Sequence, residues 1–254
     1  MVRTITVHSF KGGTGKSTIT ANLATALAAR GRRVGVMDMD LEGPGLHVIF
    51  NITPEEVKHT LNDVLLDAVS PDEAVIPMNG RLGLEAGSLY FSPASVRVGE
   101  MLRTLRTGFE LESFSRAIAK LGTSFKLDYV MIDTHPGIEN DTLLVMGVCD
   151  HLVIVSRIDQ QDIFGTGVVV DIARTLEKPA HLVVNMVPKG LKASDASKLV
   201  KGIGHHFKVD VAGWLPFSDA VQSSLSKSVF ILTNPRDAVA SRFQDLAKQL
   251  ESYN

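Results

Sequence analysis

The densest chemistry in the sequence is one run of eight residues, Lys11-Gly12-Gly13-Thr14-Gly15-Lys16-Ser17-Thr18. It follows a β-branched run, Ile5-Thr6-Val7. It opens an Ala- and Leu-rich stretch, Lys16 to Arg30, that has helical spacing and ends at Gly31. Strand, glycine loop and helix in that order make an anion cradle. The glycines let backbone N–H groups turn inward around phosphate oxygens, and the helix N-terminus adds a favourable dipole. Lys16 then reaches the β- and γ-phosphates, and the Ser17 hydroxyl sits on Mg²⁺. The general pattern GxxxxGK[ST] asks for glycine at position 10. This sequence has Phe10 there, and an additional lysine, Lys11, at the loop start.

Two acidic segments follow strands in the way such a loop needs. Asp38-Met39-Asp40 comes after the apolar run Arg33 to Met37. At the carboxyl end of a strand in an open parallel sheet, carboxylates face the ligand crevice. Two of them can hold Mg²⁺ waters and orient an attacking water. The second segment, Asp128 to Asp133, is four apolar residues ending on Asp133. That places an acid opposite the loop, where it holds Mg²⁺ through water. Thr134-His135-Pro136-Gly137 follows. His135 can titrate near neutral pH and reads as an interface or packing histidine.

The elements that must position these groups are short apolar runs alternating with amphipathic stretches. At ~150 residues per domain, 254 residues permit one large α/β domain or two small ones. Tyr129 to Ile132, Leu152 to Val155 and Leu182 to Val184 are apolar on both faces, which means a parallel sheet covered on both sides. Crossovers are then right-handed. The expectation is an α/β fold with a single doubly wound domain over 1–254, its mainly parallel sheet carrying helices on both faces. About 43 to 122 reads as an insertion within that domain. It holds helical spacing at His59 to Val69, a helix start at Ser70-Pro71-Asp72-Glu73, and one long helical pattern from Arg97 to Leu121.

Composition removes several classes. With 44% apolar and 21% charged residues the chain is of the soluble globular kind. Basic residues number 26 against 28 acidic ones, net −2, so a strongly basic nucleic-acid binder is not expected, although a local patch can still meet phosphates. One cysteine rules out a disulfide framework and any CxxC site within the chain. No run reaches the ~18 apolar residues of a membrane span. The start MVRTITVHSF lacks a secretory pattern. A cytoplasmic location is expected.

The loop KGGTGKST, with lysine at its start, resembles the deviant phosphate loop of the MinD/ParA family of P-loop ATPases. That family tolerates a non-glycine before this lysine. The acidic pair, the Asp133 segment, the Val183-Val184-Asn185 strand and Leu215-Pro216-Phe217 come in the family's order and rough spacing. Thr60 to Ile76 also resembles MinD-like proteins, so the resemblance spans nearly the whole chain. It implies that ATP and Mg²⁺ are the ligands and that Gly12 to Thr18 hold the nucleotide. It implies that Lys11 crosses an ATP-dependent homodimer interface to the partner's nucleotide. Cations supplied in trans are worth roughly 10³–10⁵ in rate in other phosphoryl-transfer enzymes. The catalytic candidates are thus Lys11, Lys16 and Asp40, Asp40 positioning the attacking water. Ser17, Asp38 and Asp133 are the candidates for the metal. Gly137 corresponds to a glycine that approaches the γ-phosphate, and Leu41 to Leu46 to the first switch, with a Gly-Pro character similar to the iron–sulfur-carrying Mrp branch. Asn185 corresponds to an adenine contact, and Pro216 and Phe217 flank the base. Asn185-Met186-Val187-Pro188 lacks the Lys and Asp of the guanine motif N-K-x-D, and Asn234-Pro235-Arg236-Asp237 lacks its Lys.

Family members release a partner or surface after hydrolysis, so the resemblance implies an ATPase switch for spatial positioning: division site, DNA or plasmid partition, or cargo localisation. An activating protein partner is implied, with a location peripheral to membrane or nucleoid as the extension of a cytoplasmic one. The surface itself is weakly marked. Val239, Phe243, Leu246 and Leu250 in the stretch 237–254 read as a core-packing helix rather than a membrane anchor. Lys189, Lys192, Lys198, Lys201, Lys208, His205 and His206 read as a solvated face, with a DNA-facing patch as the sharper alternative. No iron–sulfur cluster is expected, because Cys149 alone cannot supply the thiolates; it reads as a small buried apolar residue. Two other classes stay open. One is a ligase-like enzyme that phosphorylates a small carboxylate, similar to dethiobiotin synthetase, with Arg97, Arg103 and Arg106 as its substrate cations. The other is a nucleotide-binding adaptor.

Overall fold

The computed structural model describes residues 2–253. They form an eight-stranded sheet: β1 Arg3–His8, β2 Arg33–Met39, β3 Ile76–Pro77, β4 Ser88–Ser92, β5 Tyr129–Thr134, β6 His151–Ser156, β7 Ala180–Val187 and β8 Asp210–Pro216. The order across the sheet is β3-β4-β2-β5-β1-β6-β7-β8. Neighbours run parallel, except that β3 is antiparallel to β4.

Alternation of side chains along the strands explains the apolar runs. Ile5 and Val7 of β1, Val34 and Val36 of β2, Met131 of β5 and Val153 and Val155 of β6 enter one layer with the helices Lys16–Ala29 and Ala238–Ser252. Val130 and Ile132 of β5 enter the opposite layer, against the helix Leu111–Ser124. On that side Leu152, Ile154, Leu182 and Val184 meet the helices Gln160–Thr175 and Ala193–Phe207. A strand buried on both faces has no polar period, as expected for a covered parallel sheet. The helix Lys16–Ala29 is itself buried along most of its length, wedged between sheet and C-terminal helix. Its alanines allow that close approach. Burial of Leu23 and Leu27 contributes about 1.5–3 kcal/mol each.

The excursion from 43 to 122 departs from the sequence expectation in three ways. It returns to the sheet: β4 pairs in parallel with β2, Val34 beside Leu89 and Val36 beside Phe91. Serines at both ends of β4 mask a strand whose Leu89 and Phe91 are fully buried. The pattern 97–121 is two helices, Val98–Thr107 and Leu111–Ser124, split where Gly108 takes φ +69°, a conformation glycine enters freely. The stretch 59–69 contracts to Leu61–Leu65, capped by Thr60 and Asp63. At the other end, Val239, Phe243, Leu246 and Leu250 of Ala238–Ser252 are all buried, a core-packing helix. Asn254, the last residue of the expected helix, lies outside the described residues. Among the described residues no helix is long and apolar enough to cross a membrane.

Phe10 leaves the phosphate loop and lies over Gly165 of the helix Gln160–Thr175. A Cβ at 165 would stand 2.1 Å from the ring Cδ1 and 2.6 Å from the Phe10 Cβ. The large residue in the loop is thus matched by a small one across from it, which leaves the path of Gly12 to Gly15 unobstructed. Gly165→Ala is expected to cost about 1–3 kcal/mol of stability in urea unfolding. Most of that loss should vanish when Phe10 is already alanine; an equal loss in both backgrounds would contradict the pairing.

Candidate active site

β1 ends at His8, and the chain turns through Ser9 to Gly15 before the helix begins at Lys16. Gly15 sits at the helix N-cap with φ +87°. A Cβ there would stand 2.4 Å from Asn185 Nδ2, so the position excludes other residues on both counts. The Ser9 hydroxyl donates to the Lys11 carbonyl at 2.9 Å. The loop wraps a cleft of ≈ 300 Å³ that contacts Lys11 to Thr18, Asp40, Gly45, Ile49, Pro136 and Ser226.

Behind the loop the sheet register sets three carboxylates against one ammonium. Asp38 and Asp133 are direct neighbours on β2 and β5, and both are fully buried. Lys16 Nζ lies 3.0 Å from Asp133 Oδ1 and 3.9 Å from Asp40 Oδ2. Thr20 Oγ1 donates to Asp133 Oδ1 at 2.9 Å. Asp133 Oδ2 is buried without a hydrogen-bond partner. Asp38 accepts the Asp40 N–H at 3.1 Å and the Leu46 N–H at 3.3 Å. Burial first, and the Asp133 carboxylate second, push the Asp38 carboxyl up to about 8. Asp40 is raised as well, chiefly by burial, and its Oδ1 is fixed by the Gly43 N–H at 3.0 Å. An orphaned carboxylate oxygen and a proton-holding neighbour are the marks of a site short of positive charge. Carboxylates with the Ser17 hydroxyl are hard oxygen donors of the kind Mg²⁺ takes, so the residues present fit that ion.

The remaining expected residues are distributed around this centre. Lys11 lines the cleft, but its ammonium donates to the Gln161 side chain on the neighbouring helix. Asn185, near the end of β7, donates from Nδ2 to the Thr14 carbonyl at 2.7 Å and so braces the loop from behind. Pro216 ends β8, and the Phe217 N–H donates to the Val187 carbonyl at 2.8 Å. Neither lines the cleft. The structure thus gathers Lys11 to Thr18 and Asp40 around the cleft with Asp38 and Asp133 beneath, and it leaves Pro216 and Phe217 outside. Gly45 reaches the cleft from the segment read as the first switch, whereas sequence reading missed Ile49 and Ser226, which come from segments without a motif.

It also missed His8, directly under the loop. His8 Nδ1 lies 2.7 Å from Thr134 Oγ1, which donates onward to the Val7 carbonyl at 3.2 Å. Nδ1 therefore carries the proton of a neutral ring. Burial, then the neighbouring Lys16 ammonium and His135, lower its pKa to about 3. Because the folded value lies below the ordinary one, neutral His8 contributes stability that is intact above about pH 6.5 and is lost progressively down to about pH 3. Between pH 7.5 and 4.5 the parent should therefore lose about 2–3 kcal/mol more than His8→Asn in urea unfolding. Parallel pH curves for the two proteins would contradict this.

The chain matches the family model described as ParA, an "NUBPL iron-transfer P-loop NTPase", over residues 1–251. It is 29% identical over 259 residues to an uncharacterized ATP-binding protein of Methanocaldococcus jannaschii, covering 98% of this chain and 88% of that protein. It is 32% identical over 160 residues to an iron-sulfur cluster carrier protein of Clostridium perfringens, covering 60% of this chain and 51% of that one. The septum site-determining protein MinD of Pyrococcus horikoshii, solved with Mg-ADP, superposes with a TM-score of 0.82 at 22% identity, over 99% of this chain and 97% of that one. With the phosphate loop, the acids behind it and the doubly wound sheet in place, the chain belongs to the MinD/ParA family of P-loop ATPases.

Proposed function

We propose that this chain is an ATPase switch of the MinD-like kind: one P-loop domain that dimerises around ATP·Mg²⁺, hydrolyses it, and thereby controls where a partner is positioned. The observation that carries this reading is the placement of Asp40. It lines the cleft, its carboxylate is anchored by the Gly43 N–H, and it stands 3.9 Å from Lys16. An anchored carboxylate beside the phosphate loop can orient a water and accept its proton. Gly12 to Thr18 hold the phosphates through backbone N–H groups, and Lys16 leaves Asp133 to meet the β- and γ-oxygens. Ser17, Asp38 and Asp133 would hold Mg²⁺, which would supply positive charge against that developing on the phosphates. Asn185 braces the loop and contacts the adenine, with Pro216 and Phe217 beside the base. Lys11, whose ammonium makes a solvent-exposed hydrogen bond to the Gln161 side chain, can exchange that contact for the partner subunit's nucleotide.

Other observations weigh between branches. Cys149 is fully buried, donates to the Met146 carbonyl, and has its thiol pKa raised by burial. A single buried thiol weighs against an iron–sulfur carrier reading of this chain. Arg97 is engaged with Glu100, and neither Arg97, Arg103 nor Arg106 lines the phosphate cleft, which weakens the ligase reading. Lys192, Lys198, Lys201, Lys208, His205 and His206 are exposed, whereas Lys189 pairs with Asp219. This face and an activating partner supply the surface that the buried C-terminal helix does not, whether nucleoid or membrane-bound.

Light scattering with ATP·Mg²⁺ and with ADP tests the switch. The parent should dimerise with ATP alone. Lys11→Ala should stay monomeric while still binding nucleotide. Asp40→Ala should remain a dimer with ATP and hydrolyse it at least about 100-fold more slowly. A parent that is monomeric in every nucleotide, or an Asp40→Ala protein with the parental rate, would contradict the reading.

A further inference from the structure

Beside the nucleotide cleft, three segments bring metal-ligating side chains together: Glu42 from the loop after β2, His135 from the loop after β5, and Glu139 just before the helix Asn140–Val148. One donor atom of each lies within 4.8 Å of the others. His135 is 2% exposed. Its Nδ1 lies 2.6 Å from the Pro136 carbonyl oxygen. A carbonyl only accepts, so Nδ1 carries a proton, and Nε2 of a neutral ring would present a lone pair. Nε2 is buried without a hydrogen-bond partner. It lies near carboxylates, Asp141 Oδ1 at 3.3 Å and Glu139 Oε2 at 3.8 Å. A neutral imidazole edge beside carboxylate oxygens is relieved by a cation, either a proton on Nε2 or a metal ion, and the absence of a hydrogen bond from the buried Nε2 to either carboxylate favours the metal.

We propose that His135, Glu139 and Glu42, with Asp141 beside them, form a binding site for a divalent transition-metal ion such as Zn²⁺. One imidazole nitrogen with carboxylate oxygens suits Zn²⁺ and its neighbours, and the imidazole disfavours Mg²⁺ and Ca²⁺. The Pro136 carbonyl has the orienting role that such histidines need: it fixes tautomer and ring angle. A groove of ≈ 440 Å³ lined in part by Leu41, Glu139 and Asp141 gives an ion access from solvent. This site uses none of the groups assigned to Mg²⁺. Glu42 lies two residues beyond Asp40, and His135 two beyond Asp133. An ion there ties together the two segments that flank the phosphate cleft, so its occupancy restrains both.

The test is Zn²⁺ calorimetry and Co²⁺ absorption on the full chain, without nucleotide and with millimolar Mg²⁺ present. One equivalent should bind in competition with neither Mg²⁺ nor Ca²⁺. His135→Gln should weaken it about 100-fold, and Glu139→Gln or the exposed Glu42→Gln about 10-fold or more. Circular dichroism checks that each variant is folded. Glu42→Gln keeps the test alive should His135→Gln not fold. Absence of saturable binding at micromolar Zn²⁺ and Co²⁺ would overturn the proposal. So would equal affinity in the parent and in the His135 and Glu42 variants, which would place the ion on other surface groups. Neither result bears on whether the chain hydrolyses ATP.

Discussion

Two carboxylates held side by side, out of reach of bulk solvent, govern this structure. Asp38 and Asp133 stand in register on adjacent parallel strands, fully buried, with a single lysine within reach. Like charges so placed cannot both ionise without a compensating cation. Lys16 leans back onto Asp133, Thr20 adds a hydroxyl, and the Asp38 carboxyl holds its proton up to about 8. The cost of that arrangement is met by the sheet, whose apolar packing on both faces fixes the register. The groups the site needs for phosphate and metal are therefore engaged with one another in this structure, and ligand binding is an exchange of partners.

Strand order explains why the charges converge. With β1 between β5 and β6, and β2 beyond β5, the carboxyl ends of β1, β5 and β2 lie side by side. They deliver the loop, Asp133, and the pair Asp38 and Asp40 to one crevice, the place where ligands bind in open α/β sheets. Local backbone contacts do the finer placing. Gly43 orients Asp40, Leu46 and Asp40 share Asp38, and Asn185 holds the loop at Thr14. Strand register sets the coarse distance and these hydrogen bonds set the direction.

Much of this was legible because it is local. Gly12 to Ser17, the Asp38 pair and Asp133 are contiguous patterns whose chemistry follows from residue type and strand position. The central strands announced themselves by unbroken apolar runs, since both of their faces are covered. What escaped depends on contacts far apart in the chain. Phe10 fits because Gly165, over 150 positions away, offers no side chain. β4 was hidden by its terminal serines, and the helical run after Arg97 hid a break that only Gly108 signals. His8 carries no motif, and its role comes from Thr134, 126 positions away, and from the loop lysine Lys16. His135 read as an interface or packing residue from its sequence; Glu139 and Asp141 follow it closely, but Glu42 reaches it from the separate loop after β2.

The claim that the Asp38 and Asp133 pair lacks one positive charge is tested most directly by proton release. Mg²⁺·ADP binding is measured by calorimetry near pH 7 in two buffers of different ionisation enthalpy, and the affinity is then followed from pH 6.5 to 8.5. A raised carboxyl must give up its proton to the bound cation, so about one proton should appear and the affinity should rise up to ~10-fold per pH unit below about pH 8, then level off. Asp38→Asn should abolish the release. Binding that liberates no proton and keeps one affinity across that range would contradict the account.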